Sequence, residues 1–248
     1  FIQPSAGDGG GALGAALWAD NMLLGHPRRF RMDHAYWGKE YSPAETRDFL
    51  DQNHISYQLI EDDDRLMDMV VDRLQGEKVI GWFQGRFEWG PRALGNRSIL
   101  ADPRSPKMKD IVNTKIKFRE PYRPFAPSVL GECAEVYFNL PNAVHHYPAR
   151  YMLYVVPVRP NKQGLLPAIT HVDGTGRLQT VFRDSNPRYY QLIERFGQAT
   201  GVPAVLNTSF NLKGEPIVTT PANAFSTFSK SEMDTLVLGN FLVDKDKH

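Results

Sequence analysis

Gly85-Arg86-Phe87-Glu88-Trp89-Gly90-Pro91-Arg92-Ala93-Leu94-Gly95-Asn96-Arg97-Ser98 is the stretch from which the rest of the chain is read. It carries three arginines around a Gly-Pro turn and ends in a hydroxyl. Lys78 to Phe83 before it reads as a buried strand, and Ser98 to Asp102 after it as a short strand, so the run is an inter-strand loop. Guanidinium groups match phosphate and carboxylate oxygens bidentately. The glycines and Pro91 hold the backbone around these charges, which favours a ligand loop. The plain alternative is a solvated face with an Arg86–Glu88 ion pair. A second basic run, Lys115-Ile116-Lys117-Phe118-Arg119-Glu120-Pro121-Tyr122-Arg123-Pro124, follows one helix later. In an extended segment Lys115, Lys117 and Arg119 would share one face; the alternative is an edge strand protected by lysines. Arg119 beside Glu120 reads as a local salt bridge. Together the two runs suggest a pocket for a small polyanion.

The composition limits the partners. The chain has 248 residues, a formal charge of +1, 42% apolar and 23% charged residues, and a single cysteine. That length buries a sizeable core. A near-neutral chain has no global field to recruit nucleic acid or an anionic membrane, so any anion site is local. Cys133 alone forms neither a disulfide framework nor a cysteine-built zinc site, which fits a reducing cytoplasm. No apolar run approaches the ~20 residues of a membrane span. Phe1-Ile2-Gln3-Pro4 reads as the end of a strand, so a fragment of a larger protein is expected.

Strands and helices alternate without repeats, which indicates an α/β or α+β fold. Helices are expected from Gly10 to Leu24, from Ser42-Pro43-Ala44-Glu45 to about Asn53, from Asp64 to Gln75, from Pro106 to Ile116, from Asn186 to Gly197 and from Pro221 to Ser229. Further strands are expected over Phe125 to Leu130, Tyr151 to Val158, Val202 to Leu206 and Thr235 to Val243. Ala168 to Val172 and Leu178 to Phe182 read as a hairpin around Asp173-Gly174-Thr175-Gly176-Arg177. His26 to Tyr41 reads as a linker.

Three further constellations bear on chemistry. Asp8, among Gly7, Gly9 and Gly10, precedes a small-residue helix; it is either an anion loop or a capped turn. His171 and Asp173 are either part of a hairpin tip or groups that orient a substrate or a phosphate-bound Mg²⁺. Leu206-Asn207-Thr208-Ser209-Phe210-Asn211 places amide and hydroxyl groups at a strand's carboxyl end, where α/β sheets bind ligands, or forms a polar turn. No HExxH, Walker A or GxSxG pattern is present.

The segments 85–104, Ile116 to Pro127 and Val205 to Asn211, in this order, resemble the C-terminal region of the carbamoyltransferase family, which contains nodulation-factor and antibiotic O-carbamoyltransferases. The resemblance runs over nearly the whole chain. It implies a YrdC-like twisted mixed sheet with flanking helices over residues 42–248, preceded over 1–41 by a short remnant of an ASKHA-type domain and a linker. It further implies that the YrdC-like half makes carbamoyl-adenylate from carbamoyl phosphate and ATP, with Mg²⁺. The ASKHA-type half, most of which is absent here, would pass the carbamoyl group to the hydroxyl of a small acceptor. Asp8 matches an iron ligand of the family whose histidine partners lie upstream, so iron belongs to a full-length enzyme only.

On this reading Arg92 and Lys117 hold the donor oxygens. Arg123 and Arg177 hold nucleotide phosphates, with Arg86, Arg97 and Ser98 as further binding groups. Asn207, Thr208 and Ser209 donate hydrogen bonds, and Gly90 with Pro91 shapes the loop. The expected protein is cytoplasmic and binds neither membrane nor nucleic acid. The competing reading is a YrdC-like nucleotide- or RNA-binding module without catalysis of its own.

Overall fold

The computed structural model describes residues 2–120 and 122–245. Nine strands form one mixed sheet: β1 (Gln58–Leu59), β2 (Ile80–Phe83), β3 (Arg97–Ala101), β4 (Ala126–Leu130), β5 (Tyr154–Pro157), β6 (Thr175–Val181), β7 (Ala204–Ser209), β8 (Thr235–Leu238) and β9 (Phe241–Asp244). Their order is β1-β9-β8-β2-β3-β7-β4-β6-β5. The β2–β8 and β4–β6 pairs are parallel and the others antiparallel. This is the mixed α/β sheet with flanking helices that the alternation of elements suggests.

Alternation along the strands builds two cores. Ile99 and Ala101, Ala204 and Leu206, and Leu236 and Leu238 face one core; Leu100, Val205 and Val237 face the other. Period-two side chains do this whenever both sheet faces are covered, and it is why these strands read as continuous apolar runs. Helices Asp63–Gln75 and Pro187–Thr200 cover one face, burying Leu66, Met67, Val70 and Leu74 against Tyr189, Leu192, Ile193 and Phe196. The other face is covered by Pro43–Gln52, Pro221–Ser229 and the short helical pieces between residues 108 and 150.

Local chemistry sets the helix ends. Ser42 and Glu45 form a reciprocal capping box: Glu45 N donates to Ser42 Oγ at 3.2 Å, and Ser42 N donates to Glu45 Oε2 at 2.8 Å. Asp62 caps the next helix, accepting from the N–H groups of Asp64 and Arg65. Asn186 caps the helix at Pro187, which ends at Gly201 with φ 75°. Each pairing satisfies N–H or C=O groups that a helix leaves unpaired at its ends.

Four expectations change. The strand β6 pairs with β5, and no strand forms over 168–172, where Val172 is almost fully exposed. The final apolar run is two strands, folded back at Gly239-Asn240. Residues 112–116 make a π-helical turn, and Phe118 sits at φ 47°, so Lys115, Lys117 and Arg119 share no extended face. The segment 26–41 is no plain linker: Met32 and Ala35 pack with Leu94, Ala126, Tyr151 and Met152 in a third cluster.

The loop between β2 and β3 is built around two buried, opposite charges. Oε1 of Glu88, which is 2% exposed, accepts from the backbone N–H groups of Leu94 (2.9 Å), Asn96 (2.7 Å) and Arg97 (3.1 Å). Burial pushes the Glu88 carboxyl upward, and these N–H groups and Arg97 pull the other way. The Arg97 guanidinium, on a fully buried side chain, donates to the carbonyls of Gln84, Asn96, Gly85 and Lys39 and lies 3.6 Å over the Phe83 ring. Gly95, at φ 109°, lies so close to Tyr189 that a Cβ would meet the ring at 2.1 Å. Each buried N–H left without an acceptor costs about 1–3 kcal/mol. Glu88→Ala is therefore expected to lower stability by about 3 kcal/mol or more, and Glu88→Gln, which keeps one acceptor oxygen, by clearly less. Urea unfolding midpoints of the two variants against the parent check this.

Candidate functional site

With Glu88 and Arg97 holding the loop from inside, Arg92 is left facing a small cavity of about 130 Å³. Its walls come from the loop (Pro91, Arg92, Ala93), the start of β4 (Phe125, Ala126), β6 (Arg177) and the end of β7 (Asn207, Thr208, Ser209), with Arg119, Pro124 and Met152 completing it. Three guanidinium groups line this space and no carboxylate does, among the described residues.

The electrostatics follow. Neither Arg92 nor Arg177 makes a hydrogen bond or ion pair among the described residues, and the Nε atoms of both are buried without a partner. Burial first, then the charges of Arg92 and Arg119, pull Arg177 down to about 10. Arg119 is lowered by burial and by Arg123; its Nε donates to Asn113 Oδ1 at 2.6 Å, and its guanidinium lies over Phe125. Mutually repelling cations in a partly dry cavity gain most from an entering anion, because attraction there is screened far less than in water.

Lys117 lies behind this wall. It is 4% exposed and donates from Nζ to the carbonyl of Ser209, to Asn211 O (2.8 Å) and to Asn211 Oδ1 (2.7 Å), with Ser209 Oγ at 3.3 Å. Asn211 Nδ2 in turn donates to Glu215 O, and Glu215 Oε2 accepts from Leu212 N and Thr227 Oγ1. The ammonium thus ties the end of β7 to the helix Pro221–Ser229. Instead of facing the cavity, it touches it through Ser209.

The structure therefore gathers Arg92, Arg177, Asn207, Thr208 and Ser209, and it separates the other expected site residues from them. Arg97 and Ser98 are internal supports; Ser98 Oγ accepts from Gly95 N at 3.1 Å. Arg86 pairs loosely with Glu40 at 3.8 Å rather than with Glu88, beside a separate cleft of about 640 Å³ that reaches Trp37 and Arg188. Gly90, at φ 117°, keeps its turn open next to Ser5. Arg123 is half exposed, paired with Glu120 at 2.8 Å, just outside the cavity beside Arg119. Arg119 itself does not pair with Glu120: Glu120 takes Arg123 and Lys213, which frees Arg119 to line the cavity. Asp173 Oδ1 accepts from Thr175 N and Oγ1, and His171 Nδ1 lies 3.1 Å from the same hydroxyl, so both belong to their own turn. The Asp8 side chain lies outside the described residues. Among those described, no three His, Cys, Asp or Glu side chains gather as a metal site, and no helix is long and apolar enough to cross a membrane.

Comparison with known proteins adds relatives to this geometry. The family described as "Carbamoyltransferase C-terminus" matches residues 71–245. The nodulation protein NolNO of Sinorhizobium fredii is 48% identical over 248 residues, which cover 99% of this chain and 36% of that protein. NolO of Bradyrhizobium diazoefficiens is 48% identical over 246 residues (99% and 44%). The 3'-hydroxymethylcephem-O-carbamoyltransferase of Streptomyces clavuligerus is 33% identical over 241 (97% and 43%). The chain thus spans less than half the length of these relatives. Among solved structures, full-length HypF in its phosphate- and nucleotide-bound form shares 16% identity at a TM-score of 0.48, over 77% of this chain and 22% of that one.

Burial, then the Arg119 charge, lowers Lys117 to about 7, against ~10.4 for an unfolded lysine. Between these values the unfolded chain binds the extra proton, so this residue's contribution makes stability rise with pH across that window. Below about 7 the burial cost is fully present. Urea midpoints taken from about pH 6 to pH 10 are expected to rise less in Lys117→Met than in the parent. Parallel slopes in the two proteins would contradict the assignment.

Proposed function

Since this chain belongs to the carbamoyltransferase family through its C-terminal region, we propose that its cavity holds the carbamoyl donor during formation of carbamoyl-adenylate. The observation that carries the reading is the pair Arg92 and Arg177, two uncompensated guanidinium groups facing one small space together with Arg119.

Size narrows the ligand. Pockets for drug-sized ligands measure ~300–1,000 Å³, and this cavity, at about 130 Å³, is smaller. It suits carbamoyl phosphate or carbamate rather than a whole nucleotide. In the proposed sequence, carbamoyl phosphate and water yield carbamate and inorganic phosphate. A carbamate oxygen then attacks the α-phosphorus of ATP, forming a new O–P bond as pyrophosphate leaves. Both reactants are anions; at an effective dielectric near 20, one like-charge pair at 4 Å opposes approach by roughly 4 kcal/mol. The protein needs no nucleophile of its own for this step. It needs placed cations and excluded water, which is how nucleotidyl and phosphoryl transfers are chiefly accelerated.

The roles follow position. Arg92, Arg119 and Arg177 take the donor oxygens. Thr208 supplies a hydroxyl donor at the cavity's edge, whereas the Ser209 hydroxyl donates to Asn211 Oδ1 at 2.7 Å and holds that edge in place. Lys117, one residue behind, keeps Ser209 and Asn211 in place. Arg123, outside the cavity, meets the phosphates of ATP, whose accompanying Mg²⁺ would neutralise their charge; among the described residues no three His, Cys, Asp or Glu side chains gather to hold it. Delivery to an acceptor hydroxyl falls to regions of such proteins beyond the matched segment, and iron with Asp8 belongs to that part of the proposal.

Arg92→Met and Arg177→Met keep much of the side-chain stem and remove the charge. Losing one charge-assisted hydrogen bond costs ~1.5–3 kcal/mol, so carbamoyl phosphate affinity and carbamoyl-dependent pyrophosphate exchange should each fall by about ten- to a hundredfold. Arg86→Met, beside the other cleft, should stay within about twofold of the parent, since exposed pairs are worth ~0–1 kcal/mol. Calorimetry and exchange assays with circular dichroism on all three variants decide it. Near-parental binding in both the Arg92 and Arg177 variants would remove them from the donor site.

A further inference from the structure

Asn113 is fully buried, in a helical turn that leaves regular geometry at this point. Over Val112–Ile116 the turn is π-helical, closed by Lys117 N donating to Val112 O at 2.8 Å. Such turns occur frequently at functional sites. Here the carbonyl of Asn113 accepts from Arg119 N at 3.0 Å, and Asn113 Oδ1 accepts from Arg119 Nε at 2.6 Å. Asn113 Nδ2 donates to the carbonyl of Arg123 at 3.0 Å. One buried residue therefore holds Arg119 by backbone and side chain, and Arg123 by its backbone.

The partners fix the direction of this amide. A carbonyl only accepts and a guanidinium only donates, so Nδ2 must face Arg123 O and Oδ1 must face Arg119 Nε. Leucine offers neither group, and an ionised aspartate offers no donor. The neutrality of the acceptor matters to the cavity. A carboxylate at this position would hold Arg119 more strongly and cancel its charge. Asparagine aims the guanidinium and leaves the charge whole. The bond at Nε also leaves the Nη groups of the fork for the cavity that Arg119 lines, with the guanidinium 4.7 Å over the Phe125 ring. The competing carboxylate is that of Glu120, next in the chain and paired with Arg123 at 2.8 Å.

We infer that Asn113 is a positioning residue that aims Arg119 without neutralising it, and so reserves that charge for an entering anion. The assignment rests on the reading of the cavity as a donor site and deepens it. Asn113 does not line the cavity; it acts through Arg119. A binding group is held in productive geometry by the residues that lock its own rotamer. Because the same amide binds the backbone of Arg123, the arginine inside the cavity and the one outside it are tied to one buried point.

A double-mutant cycle separates aiming from mere support, read by calorimetry of carbamoyl phosphate on the full 248-residue chain. Arg119→Met should lower affinity about tenfold or more. Asn113→Leu should lower it about fivefold in the parent, yet by less than about twofold in the Arg119→Met background, where nothing is left to aim. Asn113→Asp, close to the parent in shape, should cost about tenfold, because it compensates the charge that the ligand would use. Circular dichroism identifies a variant that fails to fold; if that is Asn113→Leu, the affinity of Asn113→Asp decides. Equal losses from Asn113→Leu in both backgrounds would reduce Asn113 to a structural support and overturn the assignment, as would parental affinity in the Asn113→Asp variant. Parental affinity in Arg119→Met, with Arg92→Met impaired, would overturn it while leaving the donor site standing. Failure of the parent to bind carbamoyl phosphate would overturn the cavity reading as well.

Discussion

The carboxylate of Glu88 is the constraint on which the site depends. One of its oxygens gathers three backbone N–H groups from the far end of its own loop. A few residues on, the Arg97 guanidinium gathers carbonyls from the near end and from residue 39. An anion that satisfies donors and a cation that satisfies acceptors fold an irregular backbone without a regular ladder, which is what a buried loop needs to avoid orphaned polar groups. Because both charges are spent internally, the backbone on either side of Arg92 is tied into the protein. A pocket arginine is only as well placed as the backbone that carries it.

The cavity shows the reverse economy. Arg92 and Arg177 are left without counter-charges among the described residues, although carboxylates lie nearby in the chain: Glu120 is taken up by Arg123 and Lys213, and Glu88 by backbone. Uncompensated charge in a half-dry space lowers the stability of the free protein, and an anion that enters recovers that energy as affinity. Local violations of good packing and pairing of this kind concentrate at functional sites. Lys117 follows the same logic one layer back. Its burial is a cost, and it is held in place by oxygens of the strand end that forms the cavity's edge.

The cores were the part most readable from order and period. Helix starts at Ser42 and Pro221 and the apolar spacing of Asp63–Gln75 appear in the structure close to where local chemistry puts them, because caps and amphipathic faces are short-range properties. Sequence and structure differ where pairing partners lie far apart in the chain. The strand β6 reads as one arm of a tight hairpin, yet it pairs with β5, from which it is separated by the helix Pro160–Gln163. The run 115–119 alternates like a strand, but Phe118 turns through positive φ and sends its neighbours in different directions.

By itself the sequence determined the fold class, the family and the cationic inventory of the site: alternating elements, motifs in fixed order and arginines set among glycines are all local facts. It could not tell which cation is spent on structure and which is free. Arg92 and Arg97 read alike on paper, five positions apart, and Arg119 read as the partner of its neighbour Glu120. Only the tertiary structure sent Arg97 into the protein to hold carbonyls, turned Arg119 toward Asn113 and the cavity, and brought Arg177 from β6 opposite Arg92. The reason is physical: a charge's role depends on which atoms surround it and how much water reaches it, and both are set by packing between segments remote in the chain.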